Sequence, residues 1–213
     1  MGVESRRPGA LCLVLGFLLA LPGVSIAAGS ADDAALTARP RAVVEQTVRR
    51  VLGVLEAPNL ALDQRRERIE AIAFAVFDFS TVSKLVLARN WKKLDKAQRR
   101  AFMGEFKQYL SRNYGRRLER YEKADVEITG ARVEPRKDVS VFSRVVGGQY
   151  DGITMNYRMR LRGGEWKVID IVIEGVSMLA NFRAQFAEVM SREGVEGLLA
   201  AMRERNANSD RPD

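Results

Sequence analysis

The chain has 213 residues, of which 46% are hydrophobic and 29% charged, and its formal net charge is +8. These values are typical of a globular domain with its own core and exclude a disordered chain. Because the chain has no His and its one Cys is Cys12, the rest of it excludes imidazole catalysis, Ser–His or Cys–His nucleophiles and thiolate metal sites, and we predict neither a metal nor a cofactor.

An export signal is predicted at residues 1–27. Arg6 and Arg7 form a basic start, the stretch from Ala10 to Leu21 is apolar, and a small-x-small cleavage site ends at Ala27. The apolar stretch is too short to span a bilayer as a stable anchor. We therefore expect cleavage near Ala27 and an exported protein that loses Cys12 with its signal.

The remaining chain is predicted to form one domain of the α+β class. Residues 28–39 are expected to be a linker, residues 40–205 the domain, and residues 206–213 a disordered tail. Within the domain we expect helices over residues 40–123, then a sheet and closing helices over residues 124–205.

Four amphipathic helices are predicted in the first part of the domain. Pro40 marks the start of the first, Asp78 caps the third, and Asp95 with Gln98 forms a capping box for the fourth. The apolar stripes of the first two helices contain Val44, Val48, Val51, Leu52, Leu55, Ile69, Ile72, Ala73 and Val76. The stripe of the fourth contains Phe102, Phe106, Leu110 and Tyr114.

Alternating apolar and polar side chains after Lys123 predict a curved, four-stranded antiparallel sheet. Gly163-Gly164 predicts a tight hairpin turn. The register that follows from this turn pairs Leu161 with Trp166, Met159 with Val168, Tyr157 with Asp170, and Met155 with Val172. The last strand is apolar on both faces, so we expect helices over both, and the segments 176–190 and 195–203 are candidates.

Asp170 is the acid within this apolar strand, and two interpretations of it are open. Beside Tyr157 it is a candidate general acid or base. Alternatively it is a hydrogen-bonded carboxylate that holds the strand against its helix. Ser177 is expected to cap the last long helix, since no His is present to activate it, and Gly175 to supply a positive φ at the corner.

Two stretches of the chain resemble the MlaC, or toluene-tolerance (Ttg2-type), family. In the first, the matching residues are Phe77-Asp78, Trp91, Gln98-Arg99, Phe102, Phe106 and Tyr114. In the second, from Trp166 to Phe186, the chain matches the pattern W-K-V-x-D-x-x-x-E-G-V-S-x-x-x-N-x-R-x-x-F. Phe182 stands where Tyr is usual in the family, which keeps the ring and loses a hydroxyl.

The resemblance implies a periplasmic phospholipid carrier whose acyl tails lie in an apolar cavity between the sheet and the helices. Its implied partners are an outer-membrane lipoprotein complex and an inner-membrane ABC transporter, reached through that transporter's membrane-anchored lipid-binding subunit. The implied role is to maintain the lipid asymmetry of the outer membrane. A hopanoid or another apolar lipid is the alternative cargo. The scattered basic residues fit no nucleic-acid recognition motif, so no nucleic-acid partner is expected.

Apolar stripes are compatible both with a filled core and with an adaptable cavity. The candidate cavity residues are Phe102, Phe106, Leu110, Tyr114, Ile153, Met155, Tyr157, Met159, Val172, Val176, Met178 and Phe182. A structural role is expected for Trp166, Asp170, Gly175 and Ser177. Two further hypotheses remain: a secreted enzyme that uses Asp170 and Tyr157, and an envelope scaffold without a ligand.

Overall fold

Helices and one antiparallel sheet make up the computed structural model, which describes residues 31–118 and 124–208. The helices are α1 (Ala31–Leu55), α2 (Leu62–Val76), α3 (Phe79–Leu87), α4 (Lys96–Leu118) and α5 (Met178–Asn208), with a 3₁₀ helix at Ala88–Lys93. The strands are β1 (Asp125–Val133), β2 (Val139–Val146), β3 (Met155–Arg162), β4 (Glu165–Ile173) and β5 (Val176–Ser177). The predicted α+β class is confirmed.

The first helix is longer than predicted. It begins at Ala31, so residues 31–39 of the expected linker are helical and Pro40 lies inside the helix. This segment is rich in Ala, the strongest helix former, and Asp32 and Asp33 in the first turn interact favourably with the helix dipole. The predicted signal peptide, residues 1–27, lies outside the described residues.

The C-terminal end also differs from the prediction. The last helix continues to Asn208, although residues 206–213 were expected to form a tail. Asn206 is 3% exposed, and its side-chain amide donates to the Glu105 carbonyl at 3.1 Å and the Glu105 carboxylate at 2.8 Å. These bonds fasten the end of α5 to α4. Residues 209–213 lie outside the described part of the chain.

The predicted helix caps at Asp78 and Asp95 are confirmed. The Asp78 carboxylate accepts from the Thr81 backbone N–H at 2.8 Å. At the start of α4, Gln98 N donates to the Asp95 carboxylate at 2.8 Å, and Asp95 N donates to the Gln98 side chain at 3.0 Å. Both helices therefore start where their sequences place a capping side chain.

The sheet has the order β1-β2-β3-β4-β5, with one strand more than predicted. The additional strand is the short β5, which pairs with the end of β4 through Ile173 and Val176. Val176 was predicted to begin the last helix, but it lies in this strand and is 62% exposed. Gly163 and Gly164 form the predicted hairpin turn, both with positive φ.

A β-bulge in β4 changes the predicted register. Leu161 pairs with Trp166 and Met159 with Val168, as expected, but the register then shifts by one residue at Ile169. Beyond the shift, the observed pairs are Arg158 with Asp170, Tyr157 with Ile171, Asn156 with Val172, and Met155 with Ile173. The prediction that Tyr157 lies opposite Asp170 is wrong, because one extra residue in a strand reverses the faces of all residues that follow it.

Two separate sets of buried residues flank the sheet. On one side, α5 packs against α3, α4 and β4 around a large apolar core that includes Ile169. On the other side, α1 crosses β1 and β2, and Val44 packs with Met159 and Val168 in a smaller core. Gly194 interrupts α5 with a φ of 69°, so the two predicted C-terminal helices meet there at a kink. The smaller core closes only part of the gap between α1 and the sheet.

Candidate functional site

A cavity of about 590 Å³ lies between the α1–α2 pair and the sheet. This volume is in the range of small-molecule binding pockets in proteins, roughly 300–1,000 Å³. Its wall is almost entirely apolar. The smaller core around Val44 fills part of the gap between α1 and the sheet, and the cavity is the part that remains open.

The two N-terminal helices form the roof of the cavity. From α1 the apolar lining residues are Val43, Val44, Val48, Val51, Leu52 and Leu55. From α2 and the segment that follows it, they are Leu62, Ile69, Ile72, Ala73, Phe74, Val76, Phe77 and Phe79. Most belong to the stripes that the sequence predicts for these helices, so the stripes face inward and line the cavity, while Val44 also packs on the smaller core.

The sheet forms the floor, and the β-bulge determines which residues of β4 belong to it. Val126, Val145, Met155, Tyr157, Val168, Ile171 and Ile173 line the cavity from the four long strands. Because the register shifts at Ile169, Ile171 and Ile173 face the cavity and Val172 does not. Tyr150 and Ile153 add to the wall from the β2–β3 connection, and Leu110, Ser111 and Met178 from the helices beyond it.

Five of the predicted cavity residues lie on this wall. They are Leu110, Ile153, Met155, Tyr157 and Met178. They come from α4, the β2–β3 connection, β3 and the first turn of α5, so the sheet face chosen from the sequence is the one that faces the cavity. Whether they contact a lipid stays a prediction.

Three predicted aromatic residues lie in the filled core. Phe102, Phe106 and Phe182 are fully or almost fully buried and pack around Phe186. Ring centroids are 5.5 Å apart for Phe102 and Phe106 and 5.3 Å apart for Phe106 and Phe182. Contacts of this kind fill space efficiently. Consequently the aromatic face of α4 joins it to α5 and does not form a cavity wall.

The other predicted cavity residues are placed elsewhere. Met159 is fully buried in the smaller core beside Val44. Val172 leaves the cavity face because of the bulge, and Val176 is exposed in β5. The side chain of Tyr114 lies outside the described part of the chain.

The Tyr157 hydroxyl is the polar group that the sheet places on the cavity floor. It donates a hydrogen bond to the Met155 sulfur at 3.1 Å. Burial raises the pKa of Tyr157 to about 12, and this effect outweighs that of its contact with Ser143. Tyr157 therefore remains a neutral phenol over the physiological range and adds no charge to the floor.

The corner between β4 and α5 accounts for the predicted structural residues. Asp170 accepts from the Ser177 hydroxyl at 2.5 Å and from Leu179 N at 2.9 Å, while Ser177 Oγ accepts from Ala180 N at 3.0 Å. Gly175 has the expected positive φ of 78°. Ser177 thus caps α5, as predicted, and Asp170 holds that cap. Trp166 packs on the smaller core.

Over residues 31–118 and 124–208, no three side chains of His, Cys, Asp or Glu are grouped as metal ligands. Within the same residues, the helices are too short or too polar to cross a membrane.

The comparisons with known proteins agree on one family. The family model described as "MlaC protein" matches residues 45–204. The toluene tolerance protein ttg2D of Pseudomonas putida is 28% identical over 190 residues, which cover 85% of this chain and 82% of that protein. The intermembrane phospholipid transport system binding protein MlaC of Haemophilus influenzae is 26% identical over 124 residues, covering 56% of this chain and 58% of that protein.

A solved structure has the same fold and contains a ligand. It is a phospholipid-binding protein from Ralstonia solanacearum in complex with a phospholipid. The two structures align with a TM-score of 0.73 at 28% sequence identity, over 80% of this chain and 98% of that chain. The matched domain, with its cavity between the N-terminal helices and the sheet, shows that this chain belongs to the MlaC family.

Proposed function

We propose that this protein is a phospholipid carrier, whose cargo places its acyl chains between the α1–α2 pair and the sheet. The observation that carries the proposal is the apolar cavity of about 590 Å³ in a member of the MlaC family. The phospholipid complex of the Ralstonia solanacearum protein, which shares the fold, supports it.

The physical requirement for such a carrier is to keep hydrocarbon out of water. Exposing one methylene group to water costs about 0.8 kcal/mol, so two acyl chains cost on the order of 20 kcal/mol or more. An apolar wall on both the helices and the sheet offsets this cost. Movement of the lipid from a membrane into the protein is then close to balanced in free energy, and we propose no catalytic step.

Loading and release require the roof to move away from the floor. The C-terminal end of α2 is fastened to the sheet, since Asp78 N donates to the Val168 carbonyl at 3.0 Å and Phe77 bridges to Val168. The other end of α2 follows a turn at residues 56–61, to which Arg65 is hydrogen-bonded through the Ala57 carbonyl. We expect the α1–α2 turn to be the part that opens when a partner docks.

The family and the sequence support a proposal for the wider role in the cell. The segment 1–27 is proposed to direct export, with cleavage near Ala27, and the mature protein to act in the periplasm. There it would carry phospholipid between an outer-membrane lipoprotein complex and the lipid-binding subunit of an inner-membrane ABC transporter, and so help to maintain outer-membrane lipid asymmetry. The H. influenzae relative's name as a phospholipid transport binding protein supports this role.

Native mass spectrometry of the protein purified from bacterial envelopes tests the proposal. We expect a mass that exceeds that of the polypeptide by one or more phospholipids, identified by extracting and fragmenting the cargo. A hopanoid as the adduct would support the alternative cargo. A ligand-free polypeptide from envelopes rich in phospholipid would contradict the carrier function.

A further inference from the structure

The charged residues on the described wall of the cavity lie together on α2. They are Arg65, Arg66 and Glu70, and the rest of the described wall is apolar or uncharged. A lipid has one polar end, so a cavity that holds it needs polar groups at one end only. The distribution of charge along the wall therefore indicates where a polar end is placed.

This end of the cavity is open to water. Leu62, one turn before Arg66, lines the cavity and is 54% exposed, while the Arg66 side chain is 38% exposed. The opposite end of α2 is closed, because Asp78 is hydrogen-bonded to Val168 there. A lipid that enters with its tails first would leave its headgroup beside Arg65 and Arg66.

Arg65 has an unused donor at this position. Its Nη2 donates to the Ala57 carbonyl at 2.8 Å, which holds the side chain at the α1–α2 turn. Its Nε is buried and has no hydrogen-bond partner among the described residues. A buried N–H donor without a hydrogen-bond partner costs free energy, and the cost is larger when the donor belongs to a charged group. A hydrogen-bond acceptor at this point would therefore be stabilising.

Arg66 adds a second positive charge. Its described ion pair is with Asp63 at 3.2 Å, one turn away, and Asp63 is 84% exposed. Exposed ion pairs of this kind contribute little free energy. Glu70 lowers the summed charge of the three residues to +1. This sum favours an anion with one negative charge over an anion with two.

We propose that Arg65 and Arg66 form a binding site for the singly charged phosphodiester in the headgroup of the cargo lipid. The planar guanidinium group suits phosphate oxygens, because its N–H donors match their spacing. The site lets the protein distinguish a phospholipid from an uncharged lipid with the same tails. This inference rests on the proposed carrier function.

The test is a competition between two lipids with identical acyl chains. Vesicles with equal amounts of phosphatidylglycerol and diacylglycerol are incubated with the purified protein, and native mass spectrometry measures the ratio of the two cargoes. Wild-type protein should be enriched in phosphatidylglycerol. Arg66→Gln, and Arg65→Gln with Arg66→Gln, should lower this enrichment by roughly tenfold or more, since each removes charge-assisted hydrogen bonds.

The control variant is Arg68→Gln. Arg68 is exposed on the same helix and does not line the cavity, so this change removes the same charge and should leave the enrichment as in wild type. If the Arg65→Gln change unfolds the protein, two variants still test the site. Arg66→Gln keeps the hydrogen bond between Arg65 and Ala57, and Arg65→Lys keeps the positive charge. Unchanged enrichment in Arg66→Gln and in the double variant would overturn the proposed site.

The remaining outcomes separate this inference from the carrier function. Wild-type protein that loads both lipids equally would overturn the phosphodiester site and leave the carrier intact. Wild-type protein that loads neither would overturn both. Inorganic phosphate distinguishes a headgroup site from a site for free anions. At millimolar concentration it should not displace phosphatidylglycerol from the protein. If phosphate binding depends on Arg65 and Arg66 but lipid loading does not, the headgroup assignment is overturned.

Discussion

Asp170 accepts a hydrogen bond from the Ser177 hydroxyl at 2.5 Å, across the corner where β4 turns into α5. The same carboxylate accepts from the Leu179 backbone N–H, and Ser177 Oγ accepts from Ala180 N. Tyr157 lies opposite Ile171 instead. The acid is thus engaged in holding the first turn of α5, which favours the structural interpretation of Asp170 over an acid–base pair with Tyr157.

Replacing Asp170 with Asn should lower stability without abolishing lipid transfer. The Asn amide keeps one acceptor oxygen but loses the negative charge to which the Ser177 O–H and the Leu179 N–H donate. We therefore expect the free energy of unfolding to fall by about 1–3 kcal/mol. Urea unfolding measures the loss, and transfer of a fluorescent phospholipid between vesicles measures function in the folded fraction. Unchanged stability together with lost transfer would contradict the structural role.

A bulky side chain in the roof of the cavity should block loading. Ala73 lines the cavity from α2, whereas Ala71, two residues earlier, is exposed. Ala73→Trp fills part of the space reserved for acyl chains, and we expect it to reduce the phospholipid recovered with the folded protein several-fold. Ala71→Trp is the matched control and should load as wild type does. Equal loading by the two variants would mean that lipid binds elsewhere.

Truncating Phe106 should affect stability far more than loading. Phe106 is fully buried between Phe102, Phe182 and Phe186. Phe106→Ala leaves a hole in a filled core, and such changes cost about 3–5 kcal/mol. The folded fraction at low temperature should still hold lipid. Chemical denaturation and native mass spectrometry make the two measurements, and a stable Phe106→Ala variant that no longer loads lipid would place Phe106 on the cavity wall after all.

Tyr157 should contribute a stability that disappears at high pH. Its pKa in the folded protein is about 12, above the ordinary value of 10, because burial disfavours the charged phenolate. Since the folded-state pKa is the higher one, the contribution is complete below pH 10 and is lost as the pH rises from about 10 to about 12. The ultraviolet difference titration between wild type and Tyr157→Phe should have its midpoint near pH 12. A midpoint near 10 would show that the phenol is in contact with water.

The parts of the fold that depend on local chemistry could be predicted from the sequence. Asp78, the Asp95–Gln98 pair and the Gly163-Gly164 turn each act through neighbours within a few residues, and the structure places them as expected. The bulge at Ile169 could not be predicted in this way. It interrupts a run of apolar residues with no polar face, so the sequence pattern is the same with or without an extra residue.

The position of the cavity was harder to predict, for a different physical reason. The Val-rich stripe of α1, with Val48 and Val51, and the Phe-rich stripe of α4, with Phe102 and Phe106, both predict a buried face. Which of them lines open space depends on what lies opposite: Phe182 and Phe186 fill the space against α4, whereas Val48 and Val51 line the cavity between α1 and the sheet. The sequence alone placed Phe102 and Phe106 among the cavity candidates, whereas the structure packs both against α5.

Photolabelling with a phospholipid that carries a diazirine near the end of an acyl chain tests most directly whether acyl chains lie beneath the α1–α2 pair. After irradiation of the loaded wild-type protein, peptide mass spectrometry identifies the labelled residues. We predict labels on the α1 and α2 wall and on the facing floor, at positions such as Val48, Ile72 and Ile171. Labels confined to the α4–α5 core around Phe186, or scattered over the exposed surface, would contradict the placement of the cargo in this cavity.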